Sequence, residues 1–420
     1  MKSKKSLSII CAIAVSLSTL VGCSSNTSGS TSGPVVVTVI QNKVEIQSQL
    51  EAAAKTFNES QSGVKVQVLG STGDNLVTTL QSQFASAPAK APTVFTCQSG
   101  SEFDKFFKYM APMDSAKAAK NIAKGQKEDA MKNGKLYGLP LAIEGIGLIY
   151  NKAIFKTAGV DPTKIKTMDD LDAACAKVAK VKGVVHPLAF SKETYFQFMH
   201  PFNWPFAVMS NYKEVIPKVI SGQLKLKDVP EVKQFANDLT KLKPYTNLAL
   251  DSYDDQVAGF AQGKYAMIHQ GNWAQSIMDQ YKVKFDYGMI PMPVNGNTSL
   301  AVGNTNFFHV NSAATKEQQA GGIKFLDWLL TSPAGQKIVT NQFKVIPAYN
   351  GFDTSKLPVL AQEVSKYSKS GKTVPWTFNL FPAGVDKDCT SAMQEFYAGK
   401  TTSDQLLEQI QKVWENAAQK

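Results

Sequence analysis

Arginine is missing from this chain: all 45 of its basic side chains other than histidine are lysine. The planar guanidinium that grips carboxylates and phosphates through two parallel hydrogen bonds is therefore unavailable, which disfavours an anionic ligand. The formal charge of +11 is spread as single lysines over 420 residues, with no basic run interleaved with aromatics. Nucleic acid is accordingly not an expected partner. Histidine is scarce, and His186, His200, His269 and His309 stand far apart without the spacing of a metal site. Gly-x-Ser-x-Gly, His-Glu-x-x-His and phosphate-loop signatures are absent too. No catalytic residue, metal or cofactor is expected. Cysteine is sparse: in the body of the chain Cys97, Cys175 and Cys389 match no metal spacing and cannot all pair, so they read as buried free thiols. Long apolar runs are lacking as well. Leu7 to Leu20, at 14 residues, is too short to span a bilayer but suits the core of a signal peptide.

That run follows Lys2, Lys4 and Lys5 and ends in Leu20-Val21-Gly22-Cys23, which resembles the bacterial lipobox. The resemblance implies that residues 1–22 are a lipoprotein signal peptide and that Cys23 is acylated, with palmitate-like chains holding it at a membrane. Residues 23–34 (Ser24 to Gly33 read SSNTSGSTSG) form a flexible linker by composition. The expected location is the extracellular face of a bacterial cell membrane.

From Val35 the pattern alternates. VVVTVI (35–40), VKVQVL (64–69) and PTVFTC (92–97) read as strands, and Glu45 to Ser60 and the Leu76–Leu80–Phe84 stripe as helices. This predicts a mostly parallel α/β sheet, with ligands bound beyond the carboxyl ends of its strands. Those ends carry Gln41, Asn42, Lys43 and Glu45, then Gly70 to Asp74, then Gln98, Ser99 and Ser101. Farther on, Leu136 to Ile143 and Ile146 to Tyr150 are apolar runs with Glu144 between them. A lone carboxylate is costly to bury unless it is paired, so Glu144 faces either water at a strand end or a ligand rich in donors. Proline interrupts the aromatic segment Tyr195 to Met209, which would place Phe202, Asn203 and Trp204 at an irregular point lining a cavity. GKYAMIHQGNWAQSIM (263–278) reads as a strand, a Gly271-Asn272-Trp273 turn and a helix, with His269 beside the turn.

YGLP…E…LIYNK, then GKYAM…GNW, then FLDWLLTSPAGQK…VIPAY resemble the extracellular solute-binding proteins of carbohydrate ABC importers, of the maltose-binding-protein-like type. The resemblance implies an α/β, two-lobe periplasmic-binding-protein-like fold (type II) with an interlobe hinge of several chain crossings, near 141–145, 292–303 and 346–351. One lobe would combine 35–142 with 301–347, the other 143–300 with 348–420. A monomer would capture an oligosaccharide between the lobes and deliver it to the transmembrane subunits of a permease. Glu144 matches a family carboxylate that accepts from sugar hydroxyls, Trp273 the stacking tryptophan, and Trp204 an aromatic cleft segment. Lys43 and Glu45 resemble the polar pair of the first loop. Asn272, Gly303, Asn304, Gln98, Ser99 and Asp386 carry over as further ligand contacts, although the Trp376 to Cys389 region departs from the pattern.

The physical case for sugar is independent of that likeness. A sugar ring offers a C–H face to aromatics and a belt of hydroxyls to polar groups. Trp273, just after Gly-Asn at a turn, suits stacking; Trp328 and Trp414 lie on regular helices and suit packing. Glu45 in a first helical turn would also be favoured by the helix dipole alone. If Glu144 serves only the ligand, its removal leaves the stability of the unliganded protein nearly unchanged. Two other classes remain open, a secreted glycoside hydrolase, which needs two carboxylates flanking the scissile bond, and a surface glycan-binding adhesin.

Overall fold

β-Branched Val35–Ile40 forms the first strand, with Val37 and Val39 buried on one face and Ile40 on the other. Val64–Val68 and Val94–Cys97 lie parallel to it on either side. The intervening helices, Gln47–Ser60 and Leu76–Ser86, supply the crossovers that parallel pairing requires. Leu50, Ala53, Ala54 and Phe57 recur at helical spacing and turn the first of them onto the sheet. Phe307–Val310 pairs antiparallel with Val94–Cys97, and Leu139–Pro140 completes the five-stranded sheet beyond it. This computed structural model describes residues 33–70, 75–304 and 306–419. Cys23, the signal sequence and the loop residues 71–74 lie outside the described residues.

The second sheet is built on the nine-residue strand Ile143–Asn151. Tyr265–Gly271 runs antiparallel along one of its edges. The other edge is shared by Leu300–Asn304, beside its first half, and Tyr287–Ile290, beside its second. His186–Ala189 and Thr373–Val374 extend the sheet outward, each parallel to its neighbour. Both sheets are therefore mixed rather than mostly parallel. Alternation of strand and helix signals a crossover but not the direction in which a longer excursion returns.

The changes of sheet also differ from expectation. Residues 301–304 pair with 143–146 in the second sheet, so the chain crosses between Asn304 and Phe307 rather than within 292–303. Ala348 and Tyr349 stay in the core of the first sheet, where Tyr349 Oη donates to the Pro140 carbonyl at 2.8 Å. Ile346, however, already packs in the second core and bridges to Ile143, and that core is next entered at Leu357. Which sheet a strand joins depends on its pairing partner, which local hydrophobicity does not encode.

Capping boxes start three helices: Thr167 with Asp170, Thr315 with Gln318, and Thr402 with Gln405. The aromatic segment is not broken by its prolines. A π-helical turn at Tyr195–Met199 leads into the helix His200–Ala207, every residue of which is buried. Pro201 sits in the first turn, where its missing donor costs little. Cys97, Cys175 and Cys389 are buried free thiols.

Candidate functional site

A cavity of about 450 Å³ lies where the ends of the two sheets face each other. The first sheet contributes Asn42, Lys43, Glu45, Gln98 and Asn306; the second contributes Glu144, His200, Tyr253, Trp273 and Trp376, among others. The volume falls in the range of sites that enclose small ligands.

The polar floor begins at the first strand's carboxyl end. Buried Gln41 folds the turn back on itself: its Oε1 accepts from Lys43 N, and its Nε2 donates to Lys43 O at 3.0 Å and to Gln47 Oε1 at 2.7 Å. Lys43 is thereby aimed across the cavity. Its Nζ stands 3.1 Å from Glu45 Oε1 and 2.9 Å from Glu144 Oε1, and donates to Glu144 Oε2 at 3.0 Å. Glu144 is only 1 % exposed. It is the second residue of the strand Ile143–Asn151, opposite Gly303. Burial pushes its carboxyl up to about 7, against the pull of Lys43. Burial also works against the charge of Lys43, but Glu144 and Glu45 together hold it above the ordinary lysine range. Glu144 thus faces the cavity and is also paired with Lys43, a contact that its reading as a carboxylate facing water or a ligand did not foresee. Among the described residues, the one ammonium on the wall is shared between two carboxylates.

The aromatic wall is set by the second sheet. Ile146 pairs with Gly271, so the turn that follows delivers Trp273 beside Glu144. A row of buried amides orients the indole: Trp273 Nε1 donates to Gln270 Oε1 at 2.9 Å, Gln270 Nε2 to Gln256 Oε1 at 2.8 Å, and Gln256 Nε2 to Ala189 O at 2.7 Å. Phe196 lies nearly parallel to Trp273, 6.0 Å away at 18°, and Tyr253 lies 4.7 Å from Phe196. Trp376 donates its Nε1 to Ala301 O at 3.1 Å and covers Gly303, where a Cβ would lie 2.8 Å from the Trp376 Cγ. Only glycine lets that ring lie flat on the strand.

His200, between Trp273 and Trp376, is held neutral because burial pushes its pKa well below the usual value. Its Nδ1, Tyr253 Oη and Asn306 Oδ1 are buried and have no hydrogen-bond partner within the chain. Buried polar atoms are nearly always satisfied, so three such atoms around one cavity mark where a ligand's own polar groups would fit.

Five of the residues singled out from the sequence line this cavity: Lys43, Glu45, Gln98, Glu144 and Trp273. The others are placed elsewhere. Trp204 is wholly buried in the second core, its Nε1 donating to His269 Nε2 at 2.9 Å, because the segment stays helical instead of breaking at proline. His269 is buried with it, and burial lowers its pKa to about 3. Asn272 ties the turn to the long strand, its Oδ1 accepting from Gly145 N at 2.8 Å. Ser99 accepts from Asn379 Nδ2 at 2.7 Å, and Asp386 opens the helix Asp386–Tyr397; both line a separate small recess. Gly303 serves Trp376, and Asn304 donates to Gln126 O at 3.0 Å. Asn306, two residues on, is the asparagine of that stretch which reaches the cavity. Tyr195, Phe196, His200, Tyr253 and Trp376 were missed. The density of aromatics from Tyr195 onward was the available signal, read a few residues too late.

An uncharacterized ABC transporter extracellular-binding protein from Pyrococcus horikoshii is 30% identical over 256 residues, 58% of this chain. The match spans 57% of that protein, a little over half its length. A maltooligosaccharide ABC transporter solute-binding lipoprotein from Streptococcus pneumoniae is 25% identical over 394 residues, 89% of this chain and 88% of that one. Among solved structures, a chitin oligosaccharide binding protein superposes with a TM-score of 0.77 at 22% identity, over 91% of this chain and 99% of that one. At that identity the likeness establishes the fold, the type II two-lobe α/β architecture. The profile of the family described as bacterial extracellular solute-binding protein matches residues 52–367, most of the chain. A match of that extent settles the family: this chain is one of the bacterial extracellular solute-binding proteins.

Proposed function

We propose that the chain captures an oligosaccharide in the cavity between its sheets and delivers it to the membrane subunits of an ABC importer. It does so without chemistry, held at the outer face of the cell membrane by lipid on Cys23. The observation that carries this reading is the wall itself. Trp273, Trp376 and Phe196 line the same cavity as the partnerless polar atoms of His200, Tyr253 and Asn306, a combination suited to a ring with a C–H face and a rim of hydroxyls. The volume suits a short oligosaccharide, and closure of two lobes around a ligand is a known way to enclose it. The names of the Streptococcus pneumoniae relative and of the solved neighbour point the same way.

The test is to incubate the purified protein with malto-, chito- and galacto-oligosaccharides and follow both melting temperature and products. A shift in melting temperature with the sugar returned intact is expected. Released sugar would favour the hydrolase, and binding confined to long polymers the adhesin. For the anchor, Cys23→Ser should move the protein from the membrane fraction to the medium; retention in the membrane would remove the lipid from the account.

A further inference from the structure

Among the described residues four carboxylates line the cavity, Glu45, Glu144, Glu193 and Asp254, against the single ammonium of Lys43. That ammonium is already engaged by Glu45 and Glu144. Glu193 and Asp254 have no cationic side chain beside them among the lining residues, and the chain holds no arginine that could supply one. Glu193 Oε1 accepts from Tyr253 N at 2.8 Å, while its Oε2 is buried without a partner.

Acidic residues gathered in a cleft do not by themselves define a ligand. Three deeply buried neighbours add what the carboxylates lack. Tyr253 is 6 %, His200 5 % and Asn306 3 % exposed, and Tyr253 Oη, His200 Nδ1 and Asn306 Oδ1 all await a partner. Tyr253 also reports where the negative charge converges. Beyond burial, Glu45, Glu144, Asp254 and Glu193 each push its hydroxyl pKa upward, so all four act on one buried group. Asn306 Oδ1 and Glu193 Oε2 are acceptors only. The unmet need is therefore for donors and for positive charge. An ammonium brings three donors and no acceptor. It is also favoured over aromatic faces, as the position of Lys43 Nζ 5.7 Å from the Trp273 ring centroid illustrates.

We infer that the cavity selects sugars bearing a free ammonium, the hexosamine class, over neutral sugars of equal length and over acidic ones. The inference rests on the sugar-binding reading above and narrows it by charge.

The probes are glucosamine oligomers and, at the same length, their N-acetylated counterparts, in which a bulkier uncharged acetamide replaces the ammonium, and glucose oligomers, in which a hydroxyl replaces it, with oligogalacturonate as the acidic member. Calorimetry is run at about pH 6, where an amine of ordinary α-amino basicity is charged. The glucosamine oligomer should bind at least about tenfold more tightly than the acetylated one, the margin expected when a neutral hydrogen bond becomes charge-assisted. That preference should shrink as salt is added. Glu193→Gln and Asp254→Asn should each reduce the ratio of the two affinities, a quantity that an inactive fraction of protein does not distort. Because Asp254 is exposed, its variant is expected to fold even if Glu193→Gln does not. Equal or tighter binding of the acetylated oligomer, or a ratio unchanged in the folded variants, overturns the inference and leaves the sugar reading standing. If no saccharide of the panel binds, both fall.

Discussion

Replacing Lys43 with methionine removes the one cation among the described residues of the cavity wall while keeping most of the side-chain volume. Glu45 and Glu144 are then left facing each other without the ammonium that lies within 3.1 Å of both. Removing one partner of a fully buried ion pair costs about 3–5 kcal/mol. Here the loss should be smaller, about 2–3 kcal/mol near pH 8, because Glu45 is 11% exposed and Glu144 can shed its charge by taking a proton. With an unfolding entropy of about 2.1 cal/mol/K per residue, that loss lowers the melting temperature by roughly 3 °C. The pH dependence is the sharper signature. In the wild type the Glu144 carboxyl is raised from 4.5 to about 7, so the native state binds that proton more tightly than the unfolded chain does. Stability from this group is therefore fully present below about 4.5 and declines as pH rises through 7. The raised pKa of Lys43 acts only above the ordinary lysine range and does not enter this window. In the variant the Glu144 pKa climbs further, so the decline continues to higher pH. At pH 5 both proteins carry a largely protonated Glu144, so the loss falls mainly on the Lys43–Glu45 contact and should be smaller than at pH 8. Scanning calorimetry of the unliganded proteins should thus show a deficit that widens from pH 5 to pH 8. A deficit equal at both values, or none, would refute the coupling of Lys43 to Glu144.

Three further substitutions separate the ligand wall from the core. Trp273→Ala should weaken oligosaccharide binding by at least about 1–2 kcal/mol, as for a buried aromatic anchor, and unchanged calorimetric affinity would remove it from the site. Tyr253→Phe deletes a buried hydroxyl without a partner, so it should raise the melting temperature of the unliganded protein while lowering sugar affinity; a fall in both would mean that the hydroxyl is satisfied internally. Trp204→Ala should cost about 3–5 kcal/mol of stability, as for a large core side chain. Titration of the protein that still folds should give the wild-type sugar affinity; a loss there would return Trp204 to the cleft.

The strands and helices were largely legible because their signals are local. The β-branched runs 35–40 and 64–69, the stripe Leu76–Leu80–Phe84 and the Gly-Asn-Trp turn all form as their periodicity and turn residues require. Partnership was not legible. Nothing in residues 301–304 says that they pair with 143–146 and not with Val94–Cys97, and so the crossing was placed too early. The same limit explains the site. Lys43 and Glu45 follow a strand end and Trp273 follows a turn, positions that sequence marks as exposed to a cleft. Tyr253 and Asn306 reach the cavity only through tertiary placement. Trp204 misled because proline was taken to end a helix, whereas Pro201 falls in a first turn and the helix continues around it.

The strand Ile143–Asn151 has a consequence for the order in which the molecule forms. All its neighbours lie far downstream, from Tyr265 to Asn304 and at Ile346. The first sheet is no more self-sufficient, since Phe307–Val310 must slot between Val94–Cys97 and Leu139–Pro140. A chain emerging amino end first can complete the first sheet only once Val310 has appeared, and the second only once Val374 has. Contacts of such long sequence separation close slowly, because the entropy of the loop is lost before any pairing compensates for it. Completion of either sheet therefore waits until most of the chain is available.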